Sequence, residues 1–178
     1  GAKDSHPTYG VNTGFGSLCN TQIASDQLTQ LQHNLIMSHA CGAGQEVPKE
    51  IVRLMLFLKI QSLSYGHSGI SLQVVQRLLD FFNNGVFPIV YEQGSLGASG
   101  DLAPLAHLSL PLIGLGEVEY EGTRYTGEEI NTLKGWKPLQ LQSKEGLALI
   151  NGTQFMLAYG LHLSIESQKL WYWAHITT

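Results

Sequence analysis

The chain has 178 residues, of which 43% are hydrophobic and 13% charged, and its formal net charge is −4. This length is sufficient for one globular domain with its own core. The acidic balance, without a basic stripe interleaved with aromatics, argues against nucleic-acid binding, and the longest apolar run, Leu54–Leu58, is far too short to cross a bilayer. Soluble domains typically carry about 25% charged residues, so much of this surface is expected to be buried against other subunits or further chain.

Hydrophobic periodicity predicts three helices in the first half of the chain. The first covers Ser25–Ala40, with its serine as the N-cap. The second covers Ile51–Leu63 behind Pro48, which suits a first helical turn, and it is apolar on nearly every face, as a buried helix would be. The third begins at a capping residue, Ser71, and ends at Gly85, because glycine fits the left-handed position that follows a helix.

The second half of the chain adds a hairpin and further helices. Leu102–Leu115 is an apolar stretch that reads as a helix bent near Pro111. The alternating sequence EVEYEGTRYT predicts a β-hairpin. Thr126 with Glu129 forms a capping box for a short helix, and a long final helix starts near Thr153. The predicted fold class is therefore mainly α, with one short β-hairpin.

The two cysteines, Cys19 and Cys41, form no C-x-x-C motif. This usage favours a reduced compartment, here the cytoplasm, and leaves one disulfide between them as the alternative. No metal site is expected, because His67 and His107 have no partners at metal-ligand spacing. Both histidines are therefore expected to be structural.

The glycine-rich stretch GSLGASGDLAPLAH, residues 94–107, needs a backbone reason, because glycine loses much conformational entropy on folding. It is not a phosphate-binding P-loop, since Gly100 is followed by Asp101 instead of a lysine. It is not a serine-hydrolase elbow either, because that motif needs a glycine two residues on each side of the serine. Ser99 has Gly97 two residues before it but Asp101 two residues after it. A structural glycine loop ahead of a helix stays open as the alternative.

Three segments in this order resemble the aromatic amino acid ammonia-lyase family: TYGVNTGFGS (8–17), the glycine-rich stretch, and EGLALINGTQ (145–154). The sequences NLIMSHACG and NGTQ resemble in particular its histidine-specific branch, the histidases of histidine catabolism. The resemblance covers essentially the whole chain and implies the N-terminal part of the aspartase/fumarase-like helical fold. Family members are much longer, so residues 1–178 are expected to form a single electrophile-bearing domain that lacks the C-terminal helical part.

In this family an Ala-Ser-Gly tripeptide cyclises by itself into 4-methylidene-imidazol-5-one (MIO), an electrophile, and Ala98-Ser99-Gly100 matches it. The residue types suit this chemistry. The Gly100 nitrogen has to approach the Ala98 carbonyl carbon, a strained bend that small residues such as Gly97 permit. Loss of water from Ser99 then leaves an exocyclic methylene. Asp101 is expected to cap the next helix and to polarise the cyclising backbone, with capping alone as the alternative.

The resemblance implies a homotetrameric enzyme that eliminates ammonia from L-histidine to give urocanate. The substrate amine, or in an older proposal its imidazole, adds to the methylene carbon, and a base removes the β-proton. Tyr9 matches the proposed base, whereas His39, Asn151 and Gln154 match substrate-binding positions. A histidine at 39 can hydrogen-bond an imidazole.

Two alternatives stay open. A tyrosine or phenylalanine ammonia-lyase or an aminomutase is one, and Ser38-His39 argues against it. The other is a catalytically silent helical domain, because family active sites draw on several subunits and on later chain. This segment alone is expected to be inactive and uncyclised, because a strained tripeptide persists only where its surroundings over-determine it.

Overall fold

The computed structural model describes residues 8–9, 11–14, 27–96 and 100–177. The helices in this part are α1 (Leu28–His39), α2 (Lys49–Ser64), α3 (Leu72–Asn84), α4 (Leu102–Ser109), a 3₁₀ helix (Leu110–Ile113), α5 (Gly127–Leu133), α6 (Glu145–Ile150) and α7 (Gln154–Thr177). The strands are β1 (Ala43–Glu46), β2 (Phe87–Pro88), β3 (Tyr91–Gln93), β4 (Glu117–Tyr120) and β5 (Thr123–Thr126). The predicted mainly α class is confirmed.

The strands form two small antiparallel sheets, β1–β3 and β2–β4–β5. The predicted hairpin is β4–β5, and both turn residues, Glu121 and Gly122, have positive φ values of 52° and 75°, as tight hairpin turns of the I′ type require. The strands β1, β2 and β3 were not predicted. They have only two to four residues, so they follow from tertiary pairing and carry no alternating pattern of their own.

Local signals located most helix ends correctly. Gly85 ends α3 with a left-handed φ of 68°, and the capping box of Thr126 with Glu129 is formed at the start of α5. Ser71 occupies the N-cap of α3 without a side-chain cap; its backbone N–H instead donates to the Glu145 carboxylate at 2.9 Å. The predicted cap of α1, Ser25, lies outside the described residues, and α1 begins after Gln27.

The predicted bend near Pro111 is a change of helix type. The α4 helix ends at Ser109, and Leu110–Ile113 continues as a 3₁₀ helix with the proline in its first turn. Proline has no N–H to continue an α-helical ladder, and short 3₁₀ pieces are common where such ladders end. Gly114 then closes the segment with a φ of 85°.

The helix α6, which was not predicted, packs against both α1 and α4. Gln32 of α1 accepts the Gly146 N–H through Oε1 at 3.0 Å, and a Cβ on Gly146 would lie 2.9 Å from the Gln32 carbonyl oxygen. This close approach fixes α6 on α1. It brings together the end of α1, the loop before α4 and the turn after α6, which carry the motifs singled out in the sequence.

The helix α7 buries little of its apolar surface in this chain. Of its 24 residues only Gln154 and Ala158 are buried, although the helix is apolar around much of its circumference. Its exposed apolar side chains are Met156, Leu157, Leu161, Leu163, Ile165, Leu170, Trp171, Tyr172, Trp173 and Ile176. No helix in the described part of the chain is both long enough and apolar enough to span a membrane.

Candidate active site

A cavity of about 180 Å³ lies between the end of α1 and the loop before α4. Its described lining is Ser38, His39, Cys41, Gly94, Leu96, Gly100, Leu102 and Ala103. The predicted substrate residue His39 and Gly100 of the predicted tripeptide both line this cavity. The other predicted loop residues, Gly97, Ala98 and Ser99, lie outside the described residues, as does Cys19, whereas Cys41 is a free, exposed thiol. A larger open depression beside α5 contains none of the predicted site residues.

Gly100 and Gly152 approach each other backbone to backbone. Gly100 has a φ of +110°, and a Cβ there would lie 2.6 Å from the Gly152 carbonyl oxygen and 2.9 Å from its nitrogen. The Asp101 N–H donates to the same Gly152 oxygen at 2.7 Å. Only glycine satisfies both the dihedral angle and the contact. The turn after α6 therefore contacts the glycine loop at Gly100. This contact is possible because Gly100 has no Cβ.

The Asp101 carboxylate is fully buried and joins two elements. Its Oδ1 accepts from Ser95 Oγ at 2.8 Å, and its Oδ2 accepts from the Met156 N–H, in the first turn of α7, at 3.0 Å. The expected cap on α4 is wrong, because this side chain makes no hydrogen bond to α4. Its ψ of 59° is far from the extended value that N-cap residues adopt. Asp101 instead caps α7.

His39 is the last residue of α1, and its Nδ1 lies 2.8 Å from the Leu35 carbonyl oxygen. A carbonyl oxygen can only accept, so Nδ1 carries the proton in this contact. In the neutral ring Nε2 is then an acceptor. Ser38 donates its hydroxyl to the same carbonyl oxygen at 3.0 Å. The tautomer of His39 thus suits a ligand that presents an N–H donor.

Asn151 and Gln154 flank Gly152. Asn151 follows α6 with extended backbone angles, φ −89° and ψ 129°, and its side chain is exposed. Gln154 is buried, and its Oε1 has no hydrogen-bond partner within the described part of the chain. A Cβ on Gly152 would overlap this Gln154 oxygen. A buried acceptor therefore lies beside the contact of the two glycines.

Tyr9 lies in a tight turn. The N–H groups of Val11 and Asn12 both donate to the Thr8 carbonyl oxygen, at 3.0 and 3.2 Å, and the Thr8 N–H donates to Asn12 Oδ1 at 2.7 Å. The Tyr9 side chain is 52% exposed. Of the predicted residues, the cavity lining described above includes His39 and Gly100 but not Tyr9, Asn151 or Gln154.

Comparison with known proteins identifies the family of this chain. The family model for aromatic amino acid lyases matches residues 1–178. The chain belongs to the aromatic amino acid lyase family. Histidine ammonia-lyase from Deinococcus radiodurans is 58% identical over 159 residues, which are 88% of this chain and 30% of that protein. The chain spans about 30% of the length of the curated relatives it matches.

Solved structures of a histidine ammonia-lyase and of an aminomutase share this backbone. Histidine ammonia-lyase from Trypanosoma cruzi is 42% identical with a TM-score of 0.83, over 92% of this chain and 31% of that one. Phenylalanine aminomutase from Pantoea agglomerans is 38% identical with a TM-score of 0.86, over 91% of this chain and 31% of that one. The backbone is therefore common to relatives with different reactions, and side chains have to decide between them.

One buried residue of this lyase-family chain was missed by the sequence analysis. Lys59 of α2 is 1% exposed, and its Nζ donates to the Asn151 carbonyl oxygen at 2.9 Å. Burial lowers the pKa of Lys59 to about 7. The available signal was a lysine within the apolar stretch Ile51–Leu63, because lysine is rarely fully buried unless it has a partner.

His107, which follows the glycine loop, supports the segment after His39. Its Nε2 accepts the Gly42 N–H at 2.9 Å, and its ring meets the Tyr91 ring edge-on with centroids 5.1 Å apart. These contacts agree with the structural role expected for it. In the described part of this lyase-family chain, His, Cys, Asp and Glu form no group of three or more that could hold a metal ion.

Burial makes the stability of the lyase-family chain depend on pH. It lowers the pKa of both His33 and His107 below the ordinary 6.5, against an opposing backbone hydrogen bond for His33. As the pH falls through 6.5, the unfolded chain therefore binds more protons than the folded chain does. The stability is present above this pH and is lost below it, so we expect the thermal unfolding midpoint of the full-length protein to fall from about pH 7 to about pH 5.

The variant His107→Gln tests this assignment. Glutamine keeps an acceptor for Gly42 but does not titrate, so the variant is expected to lose part of the pH dependence. His67→Gln changes an exposed histidine and should leave the dependence intact. Identical pH dependence in His107→Gln and the unchanged protein would contradict the contribution of His107.

Proposed function

We propose that this chain carries part of the active site of a histidine ammonia-lyase, which eliminates ammonia from L-histidine to give urocanate. The observation that carries the proposal is the cavity whose lining contains both His39 and Gly100. The tautomer of His39 supports histidine as the substrate, because its Nε2 can accept the imidazole N–H. The histidine ammonia-lyases at 51–58% identity support the same substrate.

The residues fit the built-in electrophile of the family. The backbone contact of Gly100 with Gly152 leaves a space without a Cβ, as cyclisation of Ala98-Ser99-Gly100 demands. Once formed, 4-methylidene-imidazol-5-one supplies an electrophilic methylene carbon that no ordinary side chain offers. Asp101, which follows Gly100, is linked to the first turn of α7 because its buried carboxylate accepts the Met156 N–H.

The remaining residues bind and deprotonate the substrate in this proposal. Tyr9 removes the β-proton, which requires close placement because this proton is only weakly acidic. Asn151 binds polar groups of the substrate or the ring oxygen. Gln154 Oε1, which has no partner among the described residues, accepts from a further N–H donor. The complete enzyme is proposed to be a cytoplasmic homotetramer, whose other subunits complete the site.

The test uses the full-length protein that contains this segment. Purified protein is incubated separately with L-histidine, L-tyrosine and L-phenylalanine, and each product is identified. Urocanate from histidine, with an intact mass that has lost two waters, is the expected result. A β-amino acid product would instead select an aminomutase, and an unmodified mass without any turnover would select the silent domain.

The variant His39→Leu is expected to lose preference for histidine. It removes one hydrogen bond to a strongly polar group, worth about 1.5–3 kcal/mol, so kcat/KM for L-histidine should fall by about one to two orders of magnitude. Turnover of L-tyrosine should fall less. His67→Leu, at an exposed position in the α2–α3 loop, is the matched control and should leave both unchanged. An unchanged ratio of histidine to tyrosine turnover in His39→Leu would refute the role of His39.

A further inference from the structure

We propose that Lys59 is a positioning residue of this site, whose buried side chain holds the main chain at Asn151 and Gly152 against the glycine loop. This inference rests on the proposed function, because it concerns the same site. The Lys59 Nζ donates to the Asn151 carbonyl oxygen at 2.9 Å. Because this contact is to a main-chain oxygen and Lys59 is 1% exposed, the role assigned to Lys59 is to hold the main chain.

The hydrogen bond of Lys59 is the first of three consecutive links. The next residue, Gly152, accepts the Asp101 N–H through its carbonyl oxygen at 2.7 Å. The same oxygen would lie only 2.6 Å from a Cβ on Gly100. A shift of the Asn151 carbonyl group therefore moves the Gly152 backbone relative to the tripeptide. It also moves the Asn151 side chain, so Lys59 sets the position of both motifs.

Packing alone does not explain a lysine at this position. The α2 neighbours Met55, Leu56 and Leu63 are at most 2% exposed and apolar, and an ammonium group is costly in such surroundings. No carboxylate within the described part of the chain lies within 4.0 Å of the Lys59 nitrogen. Burial accordingly lowers the pKa of Lys59. An apolar side chain of similar volume would stabilise the core at least as well. The reason for an amine at this position is therefore its hydrogen bond to the Asn151 carbonyl oxygen.

The experiment replaces this amine without emptying the core. Lys59→Met in the full-length protein is expected to keep or raise the thermal unfolding midpoint, because a buried unpaired charge is removed. Its kcat/KM for L-histidine is expected to fall at least about tenfold. Lys59→Arg keeps a charged donor and should retain more activity than Lys59→Met. The matched control is Lys49→Met, which changes an exposed lysine of the same helix that pairs with Glu119 at 2.6 Å and should keep full activity.

Each result decides the proposal. A folded Lys59→Met protein with kcat/KM within twofold of the unchanged enzyme would overturn it, as would equal losses in folded Met and Arg variants. A Lys59→Met chain that cannot fold would also overturn it, because the amine would then be needed by the core. Failure of the proposed function looks different, since the unchanged full-length protein would then form no urocanate and show no loss of two waters.

Discussion

Replacing Ser99 with alanine in the full-length protein is expected to abolish urocanate formation, by at least about three orders of magnitude, while the protein remains folded. Alanine has no hydroxyl group to leave as water, so the exocyclic methylene cannot form. The intact mass reports this directly, because the unchanged protein should lose two waters and Ser99→Ala at most one. Thermal unfolding establishes that the fold is retained.

The matched control for this variant is Ser109→Ala. Ser109 is buried, and its hydroxyl group donates to the Leu105 carbonyl oxygen of its own helix, at 2.7 Å. Its loss should change stability by about 1 kcal/mol and leave both the mass change and the turnover intact. Near-normal urocanate production by Ser99→Ala would rule out the assignment of the electrophile.

Gly100→Ala is expected to have the second largest effect. Its new Cβ would lie 2.6 Å from the Gly152 carbonyl oxygen, a backbone atom that cannot rotate away, and its φ of +110° would be strained. Strain of this kind costs about 1–3 kcal/mol, and the turn that carries Asn151 would have to move. We expect a lower unfolding midpoint and a loss of turnover by about two orders of magnitude or more.

Gly122→Ala separates the contact from the dihedral strain. Gly122 also has a positive φ, +75°, but among the described residues none except its chain neighbours lies within 4 Å of a Cβ there. It should therefore show the cost of the dihedral alone, about 1 kcal/mol, with full activity. Equal stability and activity in the two glycine variants would mean that the approach of Gly152 has no consequence.

Sequence reasoning succeeded where the cause is local. The left-handed Gly85 and the capping box of Thr126 are set by residues within one helical turn, and both are formed. The strands β1 to β3 depend on partners far along the chain, so no short pattern predicts them. Asp101 is the clearest case, because it stands where a cap on α4 is expected but binds an amide of α7, more than fifty residues later.

The candidate site divides in the same way. The small residues of the tripeptide loop predicted a backbone reason for glycine at 100, and the structure supplies one. The partner in that contact, Gly152, could not be predicted, because the contact depends on how α6 packs against α1 and α4. Lys59 was read as part of a buried helix. Its function depends on a carbonyl group in another segment, and sequence spacing carries no information about that distance.

The contact between Gly100 and Gly152 also restricts how this chain can evolve. A Cβ at position 100 meets the Gly152 backbone, whereas a Cβ at position 152 meets the Gln154 side chain. Because the obstacle to a larger residue at 100 is main chain, no side-chain exchange at 152 makes room for it. A second substitution at position 152 therefore cannot compensate for a larger residue at position 100. We expect homologous sequences to show no covariation between the two positions, although they are in contact. Directed evolution of this loop has to relocate the backbone through surrounding residues, because no exchange between the two glycines opens the space.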